Sequence, residues 1–253
     1  MQEGTPYVKQ QVQEGIATIE FFTPHHNSMP GAILKQLAQA IIAQGQDSQV
    51  KVIVLQSAGD RTFCAGANFQ ELISITDRAE GERFFMGFAH VINAMRRCPK
   101  FIIGRVQGKA VGGGVGLAAS VDYCLGTQYA ALKLSELNLG IGPFTVGPAV
   151  QRKIGLSAFS QMSINCNKFY TPKWAEQHGF YAGVFQTIDA LDQAVGELAK
   201  ELSTFHPEAM REMKKMYWEG TENWEELLRE RARISGRLVL SAFTKEKLQK
   251  YKS

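Results

Sequence analysis

Residues 108–122 read GKAVGGGVGLAASVD and decide how the rest of the chain is interpreted. A short apolar segment, residues 101–103, precedes them and predicts a buried strand. The same order occurs earlier, because the continuous apolar run 52–55 is followed by the glycine- and alanine-rich loop 63–68. In both places a strand leads through a turn of small residues toward a helix. Such turns can present backbone N–H groups where a helix N-terminus already favours negative charge.

Outside these two units the pattern first mixes strands and helices and then becomes almost wholly helical. Strands are predicted at residues 7–12 and 16–22, around a turn at Glu14 and Gly15, and helices are predicted to begin at Pro30 and to span 78–97. From Ile188 onward the helical patterns are 194–202, 207–218 and 222–238. We therefore predict an α/β core over residues 1–195 and a docked helical region over 196–253, which could cover a site or pack on a neighbouring subunit.

Composition excludes several classes of function. The 253 residues are 45% hydrophobic and 21% charged with a formal net charge of +4, and no run of five or six like charges suggests a nucleic-acid or membrane surface. The first ten residues lack a signal-peptide core, and the longest apolar stretch, 111–125, is too short to span a bilayer, so a cytoplasmic location is expected. The four cysteines lie too far apart in sequence for a zinc motif and are expected to be buried thiols: Cys64, Cys98, Cys124 and Cys166.

A third segment, residues 134–141, reads LSELNLGI and places an acid, Glu136, after the two glycine-rich turns. Two N–H donors from separate turns could stabilise the enolate that forms when a proton leaves the carbon beside a thioester carbonyl, at about 3–4 kcal/mol per donor. The plainer interpretation is that the small residues only permit tight turns and that Glu136 is an exposed or capping residue.

A dinucleotide site is a third interpretation, because residues 114–119 fit G-x-G-x-x-A and Glu136 falls near the place of a ribose-binding acid. That fold needs a full crossover helix followed by a strand that ends in the acid. Here Asp122 indicates that the helix stops after about two turns, which disfavours the dinucleotide interpretation.

Taken in order, the segments FCAGAN (63–68), GKAVGGGVGLAASVD (108–122) and LSELNLGIGP (134–143) resemble the crotonase, or enoyl-CoA hydratase/isomerase, superfamily. The resemblance covers nearly the whole chain. It implies an α/β fold built as a spiral of ββα units, with a C-terminal helical region used for trimerisation. It also implies acyl-CoA thioester substrates, a homotrimer or hexamer, and no separate cofactor, because coenzyme A is part of the substrate. No nucleic-acid or membrane partner is expected.

The resemblance assigns roles to particular residues. The backbone N–H groups of Ala67 and Gly113 match the family's oxyanion-hole pair, and Glu136 matches its later acid. The residues implied to contact coenzyme A are Ala65, Gly66, Ala67, Asn68, Phe69, Gln70 and Gly113. An early ligand-binding loop is present only in a shortened form, at Pro24 and Asn27-Ser28. The neighbouring His25 and His26 could meet a phosphate, but adjacent loop histidines are more often simply solvated.

The sequence departs from the family's hydratases at one catalytic position. Hydratases carry a second glutamate directly after the G-G-G-x cluster, and this chain has Gly116 there. One carboxylate suffices for a 1,3-proton shift, so a Δ3,Δ2-enoyl-CoA isomerase is favoured, with Glu136 as the acid/base. Hydration, including the methylglutaconyl-CoA type, remains open if another group fixes the water. Decarboxylation and a catalytically inactive CoA-binding or RNA-binding homologue also remain open. Acyl selectivity is expected to depend on residues 71–86 and on the helical region.

Overall fold

A twisted six-stranded sheet is the centre of the fold in the computed structural model, which describes residues 4–250. Its strand order is β1-β2-β3-β5-β7-β9. β1 and β2 are antiparallel, and every later pair is parallel. The strands are β1 (Tyr7–Gln13), β2 (Ile16–Phe22), β3 (Val52–Ser57), β5 (Phe101–Val106), β7 (Tyr123–Thr127) and β9 (Gly183–Phe185).

A second, smaller parallel sheet has the strand order β4-β6-β8. These strands are β4 (Thr62–Cys64), β6 (Lys109–Val111) and β8 (Leu132–Lys133). β4 and β6 each end where a glycine-rich turn begins, and each turn leads directly into a short helix, α2 (Phe69–Ser74) or α4 (Gly113–Ala119). Because neighbouring parallel strands end at the same edge of a sheet, the pairing of β4 with β6 brings the two turns together.

Helices cover both faces of the main sheet. Side chains of β3 alternate between the two faces, so that Ile53 and Leu55 belong to the main core while Val52 and Val54 pack against α7. The remaining helices are α1 (Gly31–Gln46), α3 (Arg78–Arg97), α5 (Gly147–Ile164), α6 (Pro172–Gln177), α7 (Ile188–Ser203), α8 (Pro207–Tyr217), α9 (Trp224–Leu238) and α10 (Ala242–Gln249).

The predicted α/β class is confirmed. The helix at residues 78–97 has the predicted bounds, because Asp77 caps its start by accepting a hydrogen bond from the Glu80 N–H. The expected short helix after the second glycine cluster is the seven-residue α4. β7 was not predicted, because its sequence YCLGT has neither alternation nor a long apolar run.

The helical region is docked on the core, since Trp218, Trp224 and Leu228 belong to the main buried cluster. Residue 195 lies within α7, so the division there stays a prediction. The four cysteines are buried. Across residues 4–250 no helix is long and apolar enough to cross a membrane.

Candidate active site

The two glycine-rich turns contact each other backbone to backbone. Gly66 has φ +90°, and a Cβ atom there would lie 2.9 Å from the Val111 carbonyl oxygen and 3.4 Å from the Gly113 nitrogen. A Cβ at Gly114 would lie 2.4 Å from the Cys64 carbonyl oxygen. Glycine is needed at both positions, because only a residue without a side chain permits this approach. The contact brings the turn after β4 against the start of α4.

Each turn includes an N–H group for which the described residues provide no hydrogen-bond acceptor. In the first turn Ala65 donates to the His26 carbonyl and Asn68 donates to the Met29 carbonyl, while the N–H of Ala67 between them has no acceptor among residues 4–250. The N–H of Gly113 likewise has no acceptor in this part of the chain, because Gly113 is the first residue of α4. Two free donors thus lie on two turns that touch each other.

Glu136 opens a 3-10 helix, Glu136–Leu139, which ends at Gly140 in the left-handed conformation with φ +80°. Its carboxylate lies against the second turn, since a Cβ added at Gly112 would be 3.3 Å from Glu136 Oε1. Although part of the residue is accessible, Oε2 is buried and has no hydrogen-bond partner among the described residues. Burial raises the pKa of this carboxyl to about 7, against a smaller lowering by its own backbone N–H. A group with that pKa can both take and return a proton near neutral pH.

One cavity of about 70 Å³ joins these groups. It is smaller than the ~300–1,000 Å³ typical of sites for small molecules. Its lining comes from both turns, from α2, α3 and α9, and from the segment around Glu136. The residues are Ala65, Gly66, Ala67, Phe69, Leu72, Phe85, Phe88, Gly112, Gly113, Ser135, Glu136, Leu139, Ile141, Gly142, Pro143, Phe144, Thr145, Val146 and Ser235.

The position of the missing second acid is filled by a neighbouring side chain. A Cβ at Gly116 would lie 2.4 Å from Val146 Cγ1 and 2.5 Å from Val146 Cβ, well inside van der Waals contact. Val146 is buried and lines the cavity. The Val146 side chain occupies the space that a side chain at position 116 would need, so a carboxylate there would require Val146 to move.

Most of the predicted site residues come together, and two do not. Ala65, Gly66, Ala67, Phe69, Gly113 and Glu136 all line the cavity. Asn68 instead caps α2, where its Oδ1 accepts a hydrogen bond from the Glu71 N–H, and Gln70 is exposed. These two side chains therefore lie outside the cavity.

The shortened early loop has a structural role that the sequence did not reveal. Asn27 is buried and donates to the carbonyl groups of Ala58 and Thr62, which fixes the loop to the core. His25 and His26 are exposed.

Sequence reasoning missed two hydroxyl groups in the cavity wall. Thr145 Oγ1 and Ser235 Oγ are buried and, like Glu136 Oε2, have no hydrogen-bond partner among residues 4–250. Thr145 follows the Glu136 segment closely and could have been considered, but nothing local in α9 marks Ser235. Leu72 and Phe85, which also line the cavity, do fall within the range 71–86 expected to govern acyl selectivity.

A larger cavity lies elsewhere in the described part of the chain. An open groove of about 1280 Å³ lies between α1, α3 and α9. It contains neither the free N–H groups nor Glu136, so its size does not make it the candidate active site. Within the described residues no group of three His, Cys, Asp or Glu side chains could hold a metal ion.

A mainly parallel six-stranded sheet beside a small parallel sheet, with two glycine-rich turns in contact, is the arrangement of the crotonase class of proteins. The chain belongs to the enoyl-CoA hydratase/isomerase family, whose model matches residues 11–252. The fold agrees with this, since the enoyl-CoA hydratase of Bacillus halodurans superposes with a TM-score of 0.88, at 20% identity, over 96% of this chain and 99% of that one.

Two curated relatives are more similar in sequence than that structure, but the similarity covers only part of each of them. The human mitochondrial methylglutaconyl-CoA hydratase is 30% identical over 200 residues, which cover 78% of this chain and 58% of the human protein. The enoyl-CoA hydratase AKT6-1 of Alternaria alternata is 27% identical over 200 residues, which cover 78% of this chain and 64% of that protein. The chain thus spans less than two thirds of the length of either relative.

Proposed function

We propose that the protein catalyses proton transfer beside the thioester carbonyl of an enoyl-CoA, with Glu136 as its single acid/base. The observation that carries this proposal is the unpartnered, buried Oε2 of Glu136 in the cavity between the two turns. A pKa of about 7 suits a group that must both accept and donate a proton.

The favoured reaction is Δ3,Δ2-enoyl-CoA isomerisation. The Glu136 carboxylate removes a proton from C2 of a 3-enoyl thioester, and the electron pair spreads onto the thioester oxygen as a dienolate. The N–H groups of Ala67 and Gly113 stabilise that oxygen. The same carboxyl then returns the proton to C4, so the double bond moves from C3–C4 to C2–C3 and no atom is gained or lost.

Hydration is the second candidate, and the names of the relatives favour it. Adding water to a 2-enoyl thioester needs a group that orients the water as well as one that delivers a proton. Position 116 supplies no second carboxylate, because it is glycine and the Val146 side chain occupies the adjacent space. Hydration in this protein would therefore depend on the hydroxyls of Thr145 or Ser235 to hold the water.

Two assays test the proposal whatever acyl group the natural substrate carries. The first follows exchange of the C2 protons of butanoyl-CoA in heavy water by mass spectrometry, which needs only the base and the oxyanion donors. The second gives the enzyme 3-butenoyl-CoA and 3-hexenoyl-CoA and separates 2-enoyl from 3-hydroxyacyl products.

We expect wild-type exchange and a loss of about a hundredfold or more in Glu136→Gln. The matched control is Glu230→Gln, an exposed acid on α9 that should leave exchange unchanged. Accumulation of 3-hydroxyacyl-CoA would show that the enzyme catalyses hydration rather than isomerisation. Binding of coenzyme A thioesters without exchange would support an inactive binding homologue instead. The homotrimer or hexamer is likewise a proposal, and light scattering of the purified protein tests it.

A further inference from the structure

The cavity contains more polar groups than a hydrocarbon chain can use. Within residues 4–250, three of the buried side-chain oxygens that lack a partner line this one cavity: Glu136 Oε2, Thr145 Oγ1 and Ser235 Oγ. Glu136 has a part in the proposed reaction, and the two hydroxyls have none. Thr145 is 4% exposed and Ser235 is 1% exposed, so bulk water does not satisfy either of them.

Leaving such groups unpaired is unfavourable. A buried hydroxyl without a partner retains its full cost of desolvation, and structures normally provide a partner. The other lining side chains do not, because most are apolar, including Phe69, Leu72, Phe85, Leu139, Ile141 and Val146. A partner from outside the chain, either an ordered water or a group of the substrate, can satisfy both hydroxyls.

The charge of the lining narrows the chemistry of that partner. Among the described residues that line the cavity there is no Lys, Arg or His, and the one ionisable group is the acid Glu136. A carboxylate or phosphate on the acyl chain would be desolvated without a counter-ion, which is strongly unfavourable. An uncharged oxygen, as in a hydroxyl or a carbonyl, can pair with both hydroxyl groups, because each can donate or accept.

We propose that Thr145 and Ser235 are specificity-determining residues that recognise an uncharged oxygen-bearing group on the acyl chain beyond C3. This inference rests on the proposed function, since it deepens the description of the substrate on which Glu136 acts. The substrate class is then a short, oxygenated enoyl-CoA rather than a plain or a carboxylated one. The cavity of about 70 Å³ adds that the group is small.

The two residues come from distant parts of the chain, which makes the arrangement specific to this fold. Thr145 precedes α5, whereas Ser235 lies on α9 beside the close contact of Gly236 with Gly81 of α3. A Cβ on Gly81 would lie 2.6 Å from Gly236 Cα, so the two helices touch through their backbones there. That approach brings Ser235 to the cavity wall.

The test measures binding of saturated acyl-CoAs, which carry no double bond to isomerise, in pairs that differ by a hydroxyl against a methyl group. The pairs are 4-hydroxybutanoyl-CoA against pentanoyl-CoA and 5-hydroxypentanoyl-CoA against hexanoyl-CoA, measured by calorimetry. We expect wild type to prefer the hydroxylated member of at least one pair by about tenfold or more, because a site built to hydrogen-bond rejects an analogue that lacks the group. Thr145→Val and Ser235→Ala should each reduce that ratio toward one.

The control is Thr127→Val, which removes a buried hydroxyl outside the cavity that donates to the Gln107 carbonyl. It should lower stability and leave the ratio unchanged. A ratio of one in wild type, or a ratio that survives both cavity variants, overturns the proposal. A preference found only for 3-hydroxybutanoyl-CoA over 3-methylbutanoyl-CoA also overturns it, because the hydroxyls would then hold the oxygen that water supplies in hydration.

Failure of this proposal can be told apart from failure of the proposed function. If C2 exchange depends on Glu136 but wild type shows no preference for hydroxylated acyl-CoAs, the proton-transfer function is supported and only the proposed substrate class is wrong. The absence of binding by every acyl-CoA removes both.

Discussion

Glu136 makes the folded protein less stable in the pH range in which it is expected to act. Burial raises its pKa from 4.5 to about 7, so the folded chain keeps a proton that the unfolded chain has already lost. Below pH 4.5 both states are protonated and there is no penalty. Stability therefore falls as pH rises from 4.5 to 7 and is constant above that range. A pKa change of one corresponds to about 1.4 kcal/mol, so the full loss in the free energy of unfolding is about 3 kcal/mol.

We predict that Glu136→Gln is more stable than wild type, by about 1 kcal/mol at pH 5 and about 3 kcal/mol at pH 8.5. Urea unfolding at the two pH values measures the difference. Glu230→Gln is the control, and its effect should be small at both values, because Glu230 is exposed. A Glu136→Gln variant less stable than wild type at pH 8.5 would mean that the carboxylate has a partner in the folded protein.

The same shift predicts the pH dependence of proton abstraction. Only the ionised carboxylate can act as the base, so C2 exchange in acyl-CoA should rise through pH 7 and level off above it. Rates measured between pH 5 and 9 with a substrate that has no titrating acyl group check this. A profile that levels off near pH 4.5 would show that Glu136 is solvated when substrate binds.

Gly116 is a residue whose identity is set by packing. Alanine normally favours a helix over glycine by about 1 kcal/mol, yet at this position its Cβ would meet Val146 at 2.4 Å. We predict that Gly116→Ala lowers the free energy of unfolding by about 1–3 kcal/mol. In a Val146→Gly background the same change should cost at least about 1 kcal/mol less, which a double-mutant cycle measures. Additive effects of the two substitutions would disprove the contact.

At the scale of elements, the sequence predicted those features that depend on neighbours in the chain. The turn at Glu14 and Gly15, with φ 50° and 79°, joins β1 to β2 as expected. That Gly66, Ala67 and Gly113 share one site was implied by the family resemblance, and the local pattern of a strand followed by a glycine-rich turn agreed with it. Ser235 could not be predicted, since its place in the cavity depends on how α9 packs across α3. That packing is a tertiary property which no local pattern encodes.

The contact between α3 and α9 depends on Gly81 and Gly236. An added methyl group at Gly81 would lie 2.6 Å from Gly236 Cα and 2.8 Å from its carbonyl oxygen, both of which are backbone and cannot move alone. We predict that Gly81→Ala lowers the free energy of unfolding by about 1–3 kcal/mol, despite the better helix propensity of alanine.

The matched control for this prediction is Gly196→Ala in α7, where an added Cβ meets nothing within 4 Å. It should raise stability by about 0.5–1 kcal/mol, because alanine has less backbone freedom to lose. Chemical denaturation of both variants checks the contrast. Equal effects of the two substitutions would show that α9 can move away from α3 at little cost.

At the scale of the whole molecule, a buried ion pair ties the helical region to the main sheet. Lys214 Nζ of α8 lies 2.8 Å from Asp122 Oδ2, and the two side chains are 3% and 7% exposed. Asp122 also accepts hydrogen bonds from the Ile102 N–H of β5 and from Trp218 Nε1. Lys214 donates in addition to the Lys100 carbonyl. Each charge is therefore paired and hydrogen-bonded, which a buried pair requires.

Removing one partner leaves the other charge buried, so we predict that Lys214→Met lowers the free energy of unfolding by about 3–5 kcal/mol. The control, Lys215→Met, breaks only the exposed pair with Glu212 and should cost less than about 1 kcal/mol. Two of the three tryptophans, Trp218 and Trp224, lie in the helical region and the third, Trp174, lies in α6. In a Trp174→Phe background tryptophan fluorescence therefore reports on the helical region, while far-ultraviolet circular dichroism reports on the whole chain. If the region beyond residue 195 is a separable unit, the unfolding transitions measured by fluorescence and by circular dichroism should differ in Lys214→Met and coincide in wild type. A single shared transition in the variant would mean that the hydrophobic contacts of Trp218, Trp224 and Leu228 alone make the chain one cooperative structure.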